Sequence, residues 1–78
     1  MSTYNINIYP NGKNFKLVVK ISRQPTVVYN ELTLDEIIKF INSHNEFINV
    51  NAYVDKKIFN RLKREISSYY IQLEFGIS

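Results

Sequence analysis

The chain has 78 residues, 45% of them hydrophobic, with no cysteine, a net charge of +3 and a sequence pI near 9.3. One domain, 1–78, follows from that length, with a small core and no disulfide, thiolate–metal or thiol-catalytic chemistry to supplement it. No apolar run reaches the roughly 20 residues of a membrane span, and "MSTYNINIYP" lacks the regions of a signal peptide, so a soluble cytoplasmic protein is expected.

The first element is the most legible. "INIYPNGKNFKLVV" alternates apolar and polar residues on both sides of an Asn-Gly pair, which predicts a β-hairpin. A three-residue loop, Pro10 to Gly12, would put every apolar residue on the same face as a polar partner. A two-residue loop, Asn11-Gly12, pairs Ile8 with Phe15, Ile6 with Leu17 and Tyr4 with Val19. The opposite face then carries Tyr9–Asn14, Asn7–Lys16 and Asn5–Val18. Because side chains alternate with period 2, the second register is expected, closed by a type I′ turn. A four-residue loop from Pro10 to Lys13 gives the same register.

"SRQP" (22–25) reads as a turn and "TVVYNEL" (26–32) as a third strand, with Val27/Tyr29 and Val28/Leu32 competing for its inward face. Thr33 and Glu36 then form a capping box. Leu34, Ile37, Ile38 and Ile41 define the apolar stripe of a helix over about 34–44, stopped by Asn45. "FINVNAYV" (47–54) alternates as a half-buried strand. Asp55 caps a second helix with apolar Ile58, Phe59, Leu62 and Ile66. Residues 69–75 fit a helical stripe ending at Gly76 or an alternating strand. The strand is preferred because Ser and Tyr are weak helix formers and Glu74 would oppose the helix dipole. The expected fold class is α+β: an antiparallel sheet built on an N-terminal β-hairpin, with two amphipathic helices packed on one face.

Catalytic chemistry is sparse. His44 is the only histidine, and Ser67 and Ser68 lie in no nucleophile motif. Asp35 and Glu36 are adjacent on a helix and suit its first turn. Gly12 and Gly76, the only glycines, make no phosphate-cradling loop. A non-enzymatic protein without cofactor or metal is expected.

Two surfaces could bind a partner. On the second helix Lys56, Lys57, Asn60, Arg61, Lys63 and Arg64 fall within an arc of about 160° at 100° per residue. Cations so arranged suit phosphates or an acidic protein surface. On the hairpin's outer face Asn5, Asn7, Tyr9, Asn14, Lys16 and Lys20 form a polar ladder able to donate and accept hydrogen bonds. Unpaired edge strands also suggest a homodimer through the sheet edge.

Forty residues are Phe, Tyr, Met, Ile, Asn or Lys and only eight are Gly, Ala, Arg or Pro, a bias that points to an AT-rich bacterium, phage or virus. The stretch "INIYPNGKNFKLVVKIS", more strand material and two short amphipathic helices resemble some small phage anti-CRISPR proteins. That resemblance rests on size, composition and element order, and no binding residue is carried over from it. It implies docking on a bacterial CRISPR effector complex, blocking target-DNA binding or nuclease recruitment. The expected function is therefore inhibition of a host protein or ribonucleoprotein complex; the alternative is a small nucleic-acid-binding regulator using the basic helix.

Overall fold

The computed structural model describes residues 3–44, 46–67 and 71–76. Its elements are β1 (Thr3–Asn11), β2 (Asn14–Ile21), β3 (Val27–Leu32), α1 (Leu34–Asn42), β4 (Phe47–Ala52), α2 (Lys56–Glu65) and β5 (Ile71–Phe75). The expected stop at Asn45 and the start of the last strand at Tyr69 lie outside the described residues.

The five strands form one sheet in the order β3-β2-β1-β4-β5. It is mixed, which corrects the expectation of an antiparallel sheet: β1 runs parallel to β4, and β4 parallel to β5. Parallel neighbours need a crossover connection, and α2 supplies the one between β4 and β5. The radius of gyration is 11.6 Å, against about 11.5 Å for a compact chain of this length.

The β1–β2 register differs from the expected one by two residues. Ile8 pairs with Leu17, Ile6 with Val19 and Asn11 with Asn14, so the loop is Gly12-Lys13. A shift of two keeps every side chain on its expected face and moves only the turn. Gly12 has φ +64° and Lys13 is not in the positive-φ region, as in a type II′ turn, which places Gly first. The same register explains why Pro10 is tolerated. Pairs alternate between bonded and non-bonded in an antiparallel ladder. With Asn11–Asn14 bonded, Pro10 opposite Phe15 is non-bonded and its nitrogen points toward β4, which has already ended at Ala52.

The competing faces of β3 are reconciled by a bulge. Phe15 pairs with Leu32 but Leu17 with Tyr29, so one extra β3 residue is inserted between them. Val27, Tyr29 and Leu32 thereby share the inward face, while Val28 opposes Val18.

Fully buried Ile6, Ile8, Leu17, Ile48 and Val50 meet Ile37 and Ile41 of α1 and Leu62 of α2 in one core cluster. Each such side chain contributes about 1.5–3 kcal/mol by leaving water. Around that core the helices are capped as expected: Thr33 Oγ1 accepts from the Glu36 N–H, and the Glu36 carboxylate from the Thr33 N–H. The latter bond holds the Glu36 carboxyl below its usual range. Asp55 accepts from the Ile58 N–H. Asn42 ties the helix ends together, donating to the Glu65 carbonyl and accepting from the Ser67 N–H.

No heavy atom lies within 4 Å of a Cβ built on Gly12, so Gly12→Ala tests the backbone alone. We predict that it costs about 1–2 kcal/mol and lowers Tm by about 5 °C or more, whereas Lys13→Ala stays within about 0.5 kcal/mol. Thermal denaturation of the two variants checks this.

Candidate functional site: the outward face of the sheet

Period 2 and the observed registers place four asparagines in two facing pairs. Asn5 lies beside Asn49 and Asn7 beside Asn51 across the parallel β1–β4 ladder. Asn49 Nδ2 donates to Asn5 Oδ1 and Asn51 Nδ2 to Asn7 Oδ1, both at 3.4 Å. These are long bonds, and an amide can make up to four, so most of the donor and acceptor capacity here is available to water or a partner. β5 extends the row, pairing Gln72 with Asn49 and Glu74 with Asn51. Asn5, Asn49, Asn51, Gln72 and Glu74 line a shallow depression of about 220 Å³. On the β2 side, Lys16 pairs with Tyr9 and Lys20 with Asn5.

One end of the face is aromatic. The rings of Tyr9 and Tyr53 stack with centroids 4.9 Å apart and 4° between their planes. The Tyr53 N–H donates to the Ile8 carbonyl, and the Gly76 N–H to that of Ala52. A Cβ at Gly76 would lie 2.6 Å from Tyr53 Cδ1. Gly76 thus does not cap a helix; it leaves room for the Tyr53 ring.

The hairpin residues Asn5, Asn7, Tyr9, Lys16 and Lys20 are therefore brought together on one face. Their partners Asn49, Asn51 and Tyr53 had a sequence signal in the alternation of "FINVNAY". The parallel pairing that sets them beside β1 had none.

The basic helix is partly consumed within the molecule. Arg61 forms ion pairs with Asp35 of α1 and, at 2.5 Å, with Glu65 one turn along. The Glu65 hydrogen bond, followed by Asp35, holds the guanidinium above its ordinary range against the opposing effect of desolvation. Lys63 Nζ sits 5.9 Å from the Phe59 ring centroid, within cation–π reach. Lys56, Lys57 and Arg64 are exposed without ion-pair partners among the described residues, beside exposed Asn60.

His44 has a local role. Its Nδ1 lies 2.6 Å from the Phe40 carbonyl, which can only accept, so Nδ1 carries the proton. Its ring packs 4.6 Å from Phe40 and 5.3 Å from Tyr4. No group of three or more metal-ligating side chains occurs among the described residues. No family model and no curated protein matches this chain.

Asparagine is disfavoured in strands, and bonds this long return little. We predict that Asn7→Thr and Asn51→Thr together raise stability by about 0.5–1 kcal/mol, read as a higher denaturant midpoint with unchanged m-value. A loss of that size would instead give the asparagines a structural role.

Proposed function

We propose that this protein is a non-catalytic binding protein that recognises a macromolecular partner through the outward face of its sheet. Both helices are inferred to cover the other face, since their buried residues join a single cluster with the inward strand residues. One observation carries the reading. Four in-register positions of β1 and β4 hold a strand-disfavoured residue whose mutual bonds are 3.4 Å long. Local rules are broken most often where function demands it. Asparagine amides, stacked tyrosines and two lysines supply the adaptable polar and rigid aromatic contacts of a protein-binding surface.

The resemblance to small anti-CRISPR proteins makes a bacterial CRISPR effector complex the partner to try first, with inhibition in the host cytoplasm as the outcome. A second reading, phosphate binding by α2, is favoured by the exposed Lys56, Lys57 and Arg64, which have no ion-pair partner among the described residues. Three phosphate contacts give a salt slope of about −2.7, so affinity would fall roughly 40-fold between about 50 and 200 mM salt.

Co-elution and surface binding with purified effector complexes test the first reading. Asn7→Lys with Lys16→Glu should weaken the complex by about 100-fold with the fold intact, and Lys57→Glu with Arg64→Glu by no more than about threefold. The opposite ranking, or salt-sensitive binding of mixed DNA and RNA oligomers by fluorescence anisotropy, would favour the helix instead.

A further inference from the structure

We propose that the free edge of β3 pairs antiparallel with β3 of a second copy, about a twofold axis through Val28, joining two five-stranded sheets into one of ten. β3 is an edge strand by the sheet order, and its first three residues are apolar and uncovered: Val27, Val28 and Tyr29 are 40, 45 and 41% exposed. Neither a lysine nor a proline occurs within Val27–Leu32, and the bulge and Glu31 lie beyond its apolar first three residues. The bulge lies at Asn30 and Glu31, where the Asn30 carbonyl accepts from Asn11 Nδ2, so the edge free for pairing is the Val27–Tyr29 segment.

Backbone parity selects the axis. The Ile8 carbonyl accepts from the Tyr53 N–H on the β4 side, so Ile8–Leu17 is a non-bonded pair of the β1–β2 ladder. Leu17 then directs its backbone groups to Tyr29, and Val28, next in line, directs both of its own away from β2. A residue on a twofold axis between antiparallel strands must exchange both bonds with its own copy, and Val28 presents both. In that register Val27 of each copy faces Tyr29 of the other on the inward side. Beneath this edge lies an uncovered groove of about 450 Å³ lined by Tyr29, Leu32 and Phe40, with Glu36, Lys39 and Ser43 at its rim.

Charge favours a second copy running antiparallel. Arg23 precedes the strand and Glu31 lies near its end; both are exposed and neither has an ion-pair partner among the described residues. Antiparallel pairing about Val28 runs the Glu31 end of each strand beside the Arg23 end of the other, and does so twice. Parallel pairing would set like charges side by side. Such self-complementarity is what an isologous interface requires.

Analytical ultracentrifugation of the full chain from about 10 µM to 1 mM tests the proposal. The expected result is a reversible shift from the 9.3 kDa chain mass to twice that value. Val28→Pro removes only an N–H outside the ladder, so it should keep the native circular dichroism spectrum and remain monomeric. Arg23→Glu should weaken the dimer at least about tenfold, and Arg23→Glu with Glu31→Arg should restore it to within about threefold. A wild-type monomer throughout that range overturns the proposal. So does a dimer unaffected by Val28→Pro and by Arg23→Glu, and where Val28→Pro fails to fold the charge-swap series decides alone.

Discussion

Ile6 and Ile8 lie on β1, which is paired on both sides, with β2 antiparallel and β4 parallel. Both side chains are fully buried, and the residues between and beside them are Asn5, Asn7 and Tyr9. A slip of one residue would drive two amides into the core and bring the isoleucines out. Each buried amide left unsatisfied would cost about 1–3 kcal/mol, in addition to the apolar burial lost. That alternation therefore fixes β1, and β1 fixes its neighbours. Tyr4, Ile6 and Ile8 align with Ile48, Val50 and Ala52 on one side and with Ile21, Val19 and Leu17 on the other.

The same constraint produces the amide face. Once the even positions of β1 and β4 are committed to the core, their odd positions fall together on the other side. Asn5 then meets Asn49, and Asn7 meets Asn51. A β-branched residue at those positions would serve the strand better. The contrast with the basic helix is one of commitment. Arg61 is held by Asp35 and Glu65, and Lys63 lies against Phe59, whereas the asparagines bind one another weakly.

What the sequence made legible follows from which signals are local. The capping box at Thr33 and Glu36, the cap at Asp55 and the alternation of β1, β2 and β4 are each written within a few residues, and the structure shows each of them. Pairing direction is not local. Parallel strands are recognised by continuous apolar runs when both faces are covered. β4 and β5 instead alternate as half-buried strands do, so nothing in "FINVNA" or "IQLEF" distinguishes parallel from antiparallel. The turn falls at Gly12-Lys13 and not at Asn11-Gly12 for a related reason. Asn-Gly is the stronger two-residue signal, but registers two residues apart satisfy the same alternation, and only the whole ladder separates them. The ion pair between Arg61 and Asp35 spans 26 residues, and helix-wheel geometry alone could not reveal it.

The register of β1 against β4 is therefore the claim on which both the fold and the candidate face stand. Cross-strand nuclear Overhauser effects in isotopically labelled protein test it most directly. The expected result is a set of backbone contacts of a parallel ladder linking Ile6 with Val50 and Asn7 with Asn51, together with antiparallel contacts between Ile6 and Val19. An antiparallel pattern between β1 and β4, or the same pattern displaced by one residue, would contradict it and would take the amide face with it.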